Sequence, residues 1–168
     1  VNTLLPLAGG GWHGTNTDVE GFLTPLGEQT QWQGKRAVVI GCGGSARAVV
    51  AGLQTLQLQS LHVVGRRAEA LNRFVADLQT DNAPVHAVVD QDAGLRKLIE
   101  TIDLVVNTTP VGMALHSDPS EMPLGQELWE ALQPPAILYD LIYTPRPTAW
   151  LAQAADQGHR CFDGLEML

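Results

Sequence analysis

Two short stretches of this 168-residue sequence combine residue types that could hold a phosphorylated ligand. Gly41-Cys42-Gly43-Gly44-Ser45-Ala46 follows the apolar run Ala37-Val38-Val39-Ile40 and precedes a segment with helical apolar spacing through Ala46, Val49, Val50, Leu53 and Leu56. Glycine is required where a backbone turns sharply and where a pyrophosphate must approach with no Cβ in its way. A helix starting just beyond offers free N–H groups and a partial positive charge to phosphate oxygens. Any tight strand-to-helix turn can also use glycines. Here the strand before, the helix after and the βαβ length together favour a nucleotide.

The second stretch is Gly65-Arg66-Arg67, at the end of the next strand-like run, Leu61-His62-Val63-Val64. An NAD site usually has Asp or Glu here, about 20 residues past the glycine loop, to accept from the ribose 2′-OH. This sequence has no acid before Glu69. Two guanidinium groups could instead clamp a 2′-phosphate in bidentate fashion. A pair of solvated arginines is the plainer reading, but arginines at a helix N-terminus oppose the macrodipole and need another reason to be there. The expected cofactor is NADP (NADPH), bound by Gly41, Cys42, Gly43, Gly44, Ser45, Gly65, Arg66 and Arg67.

The elements that must position these residues alternate along the chain. Val1–Leu7, a glycine turn at Gly9-Gly10-Gly11 and Trp12–Thr15 predict a hairpin. Thr17 or Asp18 is placed to cap a helix running to about Gln29, with Pro25 inside it. Strands are then expected over 37–40, 61–64, 85–89, 104–106, 136–139 and 160–162. Helices are expected over 45–56, 68–78, 94–99 and 148–157. The stretch from Ala114 to Gly125 reads as a long loop near the site. Strands alternating with helices of this length predict an α/β fold. It is a doubly wound, open parallel sheet of Rossmann-like, NAD(P)-binding type, with helices on both faces.

Composition narrows the function classes. The net charge is −8, and 45 % of residues are hydrophobic. With a pI near 4.9, nucleic acid and anionic membrane surfaces are poor general partners. Two unpaired cysteines, Cys42 and Cys161, argue against a disulfide framework or structural zinc, and a cytoplasmic location is expected. The five histidines have no metal-site spacing. His62 reads as a packed strand residue, and Trp129 and Trp150 fit core or helix-packing positions.

Six motifs, in order, resemble those of shikimate dehydrogenases over nearly the whole chain. They are Val1-Asn2-Thr3; Gly14-Thr15-Asn16-Thr17-Asp18 with Gly21-Phe22; Gly41-Cys42-Gly43-Gly44 with Ala48; and Asn107-Thr108-Thr109-Pro110 with Gly112-Met113. Asp140 with Tyr143, Pro145 and Thr148 is the fifth, and Asp163-Gly164-Leu165 with Met167-Leu168 the sixth. The resemblance implies reversible, NADP-dependent reduction of 3-dehydroshikimate to shikimate, on the route to aromatic amino acids. It implies that Asp18 is the catalytic aspartate that pairs with a lysine beside the reacting oxygen, where a carbonyl accepting hydride must also gain a proton. It implies that Asn2, Asp18 and Tyr143 contact substrate, that Thr108 lies on the loop passing the nicotinamide, that Leu141 packs on that ring, and that Gly164 offers it backbone. Taken without the motifs, Asp18 could be an N-cap, Asn2 a turn residue and Tyr143 a half-buried aromatic.

Two departures from the family pattern matter. The family usually has Asn-Arg-Thr where this chain has Gly65-Arg66-Arg67, so a side-chain contact to the adenosine is lost and Arg67 supplies charge instead. The catalytic lysine segment and a serine-bearing loop are expected upstream of Val1, and a substrate-binding glutamine beyond Leu168. Residues 1–30 are accordingly expected to be a remnant of a substrate domain with the inter-domain connection, and residues 31–168 a C-terminally truncated NADP-binding domain. Such a piece is expected to bind cofactor but turn over little, because half a cleft cannot hold both reactants in attack geometry. Apolar Leu4, Leu5 and Trp12 predict self-association, as a homodimer or as aggregates. Alternatives are a quinate/shikimate dehydrogenase using NAD and a non-catalytic NADPH-binding module. Asn2, Asp18 and Tyr143 argue against the module. A glutamyl-tRNA reductase domain fits less well, having no reason to carry the Asn16-Thr17-Asp18 motif.

Overall fold

The computed structural model describes residues 2–27, 31–80 and 83–167, and the backbone alone at Glu166. In chain order the elements are β1 (Thr3–Pro6), β2 (Trp12–Thr15), α1 (Asp18–Gly27), β3 (Arg36–Ile40), α2 (Gly44–Gln54), β4 (Ser60–Gly65), α3 (Ala68–Leu78) and β5 (Val85–Val89). Then come α4 (Leu95–Ile99), β6 (Leu104–Asn107), α5 (Gln126–Ala131), β7 (Ile137–Asp140), α6 (Ala149–Asp156), β8 (Arg160–Phe162) and a 3-10 turn over Gly164–Met167.

Strands β3 to β8 form one parallel sheet in the order β5-β4-β3-β6-β7-β8. The order reverses between β3 and β6, the point at which an open α/β sheet leaves a crevice beyond its strand ends. The continuous apolar runs are explained by two cores. Ala37 and Val39 of β3 face one core, with α1, α2 and α3 contributing Phe22, Val49, Leu53, Leu71 and Phe74. Val38 and Ile40 face the other, with Leu95, Ile99, Trp129, Trp150 and Leu151 from α4, α5 and α6. A strand buried on both faces has no polar side to alternate with.

The hairpin β1–β2 is a separate antiparallel pair with Thr3 opposite Thr15 and Pro6 opposite Trp12. Its Leu4, Leu5 and Trp12 are exposed, Trp12 by 66 %. Helix α1, by contrast, sinks Phe22 and Leu26 into the first core. The helix passes through Pro25, and the indole N–H of Trp32 donates to the terminal carbonyl of Leu26 at 3.1 Å. The expected helix end at Gln29 lies outside the described residues.

One local expectation needs correction, and two elements stand beyond those expected. Neither Thr17 nor Asp18 turns its side chain to cap α1; both engage Asn2, and Asn16 Oδ1 accepts from the Asp18 N–H at 3.0 Å instead. The 114–125 stretch is followed by a helix, α5, that sequence periodicity over only six residues could not show. The last motif forms a 3-10 turn where no element was expected. His62 packs as expected, against His86 on the neighbouring strand with ring centroids 5.1 Å apart. Among the described residues, no helix is long and apolar enough to cross a membrane.

Candidate functional site

A cleft of about 710 Å³ opens at the carboxyl ends of β3, β4, β5 and β6. Its floor is the loop after β3. Gly41 there has φ +104°, a left-handed conformation that favours glycine. A Cβ at Gly41 would also stand 2.7 Å from Thr108 Oγ1 and 2.9 Å from Thr109 Cγ2. The glycine thus lets the β3 and β6 loops close on each other. At Gly43 and Gly44 an added Cβ would meet nothing within 4 Å. Gly43 is the N-cap of α2 and contributes no side-chain cap, so the first N–H groups of the helix take no side-chain acceptor from it. This cradle fits a pyrophosphate, whose oxygens would take those donors.

The arginine pair forms a second wall. Arg66 and Arg67 line the cleft and are exposed, and neither forms an ion pair among the described residues. Arg67 is the N-cap of α3, so its charge adds to the positive helix end. Gly65 keeps ordinary space, for its added Cβ would meet Leu71 Cδ1 at 3.4 Å and Cys42 Sγ at 3.8 Å. Thr108 lines the cleft while its hydroxyl donates to the Ile40 carbonyl at 2.7 Å, leaving only acceptor capacity.

Asp90 at the end of β5, which the sequence did not single out, also lines this cleft, as do Thr109 of the Asn107–Pro110 motif and Glu121–Gly125 of the loop expected near the site. That segment returns to the cleft because Ser117 ties the intervening loop, accepting from Gly112 N–H at 2.7 Å and donating to Pro110 at 2.9 Å. Only the position of Asp90, at a strand end one strand beyond the arginines, could have flagged it in advance.

The residues expected on the substrate side lie elsewhere. Asn2, Asp18, Tyr143, Leu141 and Gly164 do not line the 710 Å³ cleft, and Gly44 and Ser45 head α2 just past its edge. Asn2 Nδ2 donates to Asp18 Oδ1 at 2.6 Å and to Thr17 Oγ1 at 3.0 Å, so two of the expected residues are in direct contact. Two close backbone approaches tie this pair to the end of β7. A Cβ at Gly21 of α1 would stand 2.2 Å from the Met167 carbonyl oxygen, and one at Gly164 would stand 2.0 Å from that of Leu141. Helix α1, the 3-10 turn and the β7 loop can meet only through these glycines. Gly164 donates its N–H to the Ile142 carbonyl at 3.2 Å. Tyr143 is 50 % exposed on the loop after β7.

The hub of that loop is Asp140, 1 % exposed. Its Oδ1 accepts from Asn107 Nδ2 at 3.0 Å and Ile142 N–H at 3.2 Å, and its Oδ2 accepts from Thr148 Oγ1 at 2.8 Å. Thr148 in turn caps α6 by accepting from Leu151 N–H. Burial raises the Asp140 carboxyl to about 6; the three donors oppose that shift and nearby Asp163 adds to it. Arg146, on the same loop, pairs with Asp163 just beyond β8. Among the described residues no cluster of His, Cys, Asp and Glu could hold a metal ion.

No family model matches the chain. Curated relatives do. A shikimate dehydrogenase (NADP(+)) of Synechocystis sp. is 52 % identical over 171 residues, spanning 100 % of this chain and 57 % of the relative. One of Trichormus variabilis is 46 % identical, spanning 94 % of this chain and 54 % of the relative. Among solved structures, shikimate 5-dehydrogenase from Listeria monocytogenes in complex with shikimate and NAD superposes with a TM-score of 0.83 at 26 % identity, covering 99 % of this chain and 58 % of that one. Quinate dehydrogenase from Corynebacterium glutamicum in complex with NAD does so at 0.81 and 27 % identity, with 99 % and 57 % covered. The chain is homologous over its full length to a little over half of the shikimate dehydrogenases, and it has their Rossmann-like fold.

Proposed function

We propose that this chain is the cofactor-binding part of an NADP-dependent shikimate dehydrogenase, an oxidoreductase acting on a CH–OH group. Bound NADPH would supply hydride to the carbonyl carbon of 3-dehydroshikimate, giving shikimate and NADP. The chain's own residues then divide the work. Gly41 to Ser45 and the α2 N-terminus hold the pyrophosphate. Arg66 and Arg67 hold the 2′-phosphate, and Gly65 leaves them room. Thr108 marks the passage toward the nicotinamide, beside Leu141 and the Gly164 backbone. Asp18, held by Asn2, handles the proton at the substrate oxygen, and Tyr143 contacts the substrate.

The chain spans little more than half the length of these relatives, so in this proposal the hydride transfer belongs to the whole protein. Residues 1–30 contribute to the substrate side and residues 31–168 to the cofactor side. A cytoplasmic location and self-association through the exposed hairpin complete the reading.

The observation that carries it is the pair of arginines, without an ion pair among the described residues, that lines the same cleft as the glycine loop, with Gly65 and no carboxylate closing β4. Calorimetric titration with NADPH and NADH at matched salt tests it. NADPH is expected to bind tighter by on the order of tenfold or more, a preference that collapses in Arg66→Ala, since charge-assisted bidentate bonds are the strong ones. Equal or tighter binding of NADH would favour an NAD-dependent quinate/shikimate dehydrogenase.

A further inference from the structure

Strand order places the second half of the proposed dinucleotide. Arg66 and Arg67 follow β4, and the glycine loop follows β3. A dinucleotide lies across the reversal of strand order, with one nucleoside on each side. With the arginines on the β4 side, the nicotinamide half extends over the ends of β6 and β7, where Asn107 and Asp140 stand and the loop 141–148 begins.

Two segments meet at that end. One is the loop 141–148, which carries Leu141 and Tyr143; the other is the turn after β8, which carries Gly164. A Cβ at Gly164 would stand 2.0 Å from the Leu141 carbonyl oxygen, so their approach is close. Asp140 fixes the two ends of the loop by accepting from the Ile142 N–H and the Thr148 hydroxyl. Between them, Arg146 donates its Nε–H to Asp163 Oδ2. Asp163 Oδ1 accepts from the Leu165 N–H at 3.0 Å, so both carboxylate oxygens are engaged where the turn starts. The Arg146 side chain is 49 % exposed and that of Asp163 13 %. A half-exposed pair adds little to stability, so its consequence lies in what it holds in place. A nearly buried carboxylate that loses its cation shifts toward another donor or toward water, and here the turn bearing Gly164 shifts with it.

We propose that Arg146 is a positioning residue: by holding Asp163, it sets Gly164 against Leu141 and so shapes the wall on which the nicotinamide half of the cofactor rests. Arg146 acts through the ion pair, not by touching the cofactor. The assignment rests on the NADP reading above. It is tested by calorimetric titration of this chain with NADPH and with adenosine 2′,5′-bisphosphate, which has the arginine-side half and lacks the nicotinamide. Arg146→Ala is expected to weaken NADPH by on the order of fivefold and to leave the bisphosphate unchanged. Arg146→Lys, which keeps a cation, recovers most of the NADPH affinity. Asp163→Asn reproduces the loss, and combining it with Arg146→Ala adds nothing further, as expected for one coupled pair. Unchanged NADPH affinity in Arg146→Ala, or an equal loss for both ligands, overturns the assignment and leaves the NADP reading standing. Failure of the unaltered chain to bind either ligand overturns both.

Discussion

Asn107 and Asp140 stand opposite each other at the carboxyl ends of β6 and β7, and the amide of one donates to the carboxylate of the other across 3.0 Å. Asn107 Oδ1 also accepts from the Thr109 N–H and hydroxyl, so the pair fastens the cleft loop to the loop bearing Tyr143. The Asp140 carboxyl is raised by burial from 3.8 to about 6. The folded chain therefore binds this proton more tightly than the unfolded one. The stability that follows is fully present below 3.8 and lost as pH rises through about 6. Carbon NMR of the Asp140 carboxyl is expected to show titration near 6, moving higher in Asn107→Ala, where one donor to the carboxylate is gone. Titration below 4 would refute this.

His62 works in the opposite sense. Burial, with the neighbouring His86 adding to it, lowers its imidazole from 6.5 to about 4. The unfolded chain takes up this proton first, so the contribution of His62 to stability declines as pH falls below 6.5 and is exhausted near 4. In His62→Val, a residue suited to a strand, the loss of urea stability between pH 7 and 4.5 is expected to be smaller than in the unaltered chain. An identical loss would place the acid sensitivity elsewhere.

The glycine loop separates architecture from binding. Gly41→Ala meets both a left-handed φ and the Thr108 and Thr109 side chains, and is expected to lower the unfolding free energy by about 2–3 kcal/mol. Gly43→Ala meets nothing, and its stability should stay within about 0.5 kcal/mol. If a pyrophosphate lies over Gly43, that same variant loses NADPH affinity by calorimetry. Retained affinity would move the phosphates off this loop.

Gly65→Asn restores the residue usual in the resembling family. Its Cβ has ordinary contacts at 3.4 Å and beyond, so the fold should accept it. NADPH affinity is expected to rise by on the order of a few fold, as for one added hydrogen bond. Unchanged or weaker binding would show that Arg67 already fills the role.

Strand and helix alternation was legible because the inner strands β3, β6 and β7 are apolar on both faces, and the run 37–40 announces that directly. The six-residue helix α5 was not legible, for it is too short to display a period and is placed by Trp129 packing in the second core. The Thr17 and Asp18 caps were misread for a different reason: local spacing cannot reveal that Asn2, fifteen residues earlier, takes both side chains.

What the sequence determined alone was the parallel α/β order, the phosphate-suited loop at Gly41–Ser45 and the charge of Arg66-Arg67, because each follows from local residue type and period. Tertiary structure alone decided that Asp90 lines the same cleft as the arginines and that Asp140 is buried against Asn107. It also decided that Gly21 and Gly164 admit the Met167 and Leu141 carbonyls. Those relations join segments far apart in the chain, and only the close packing of strand ends and helices brings them within bonding distance.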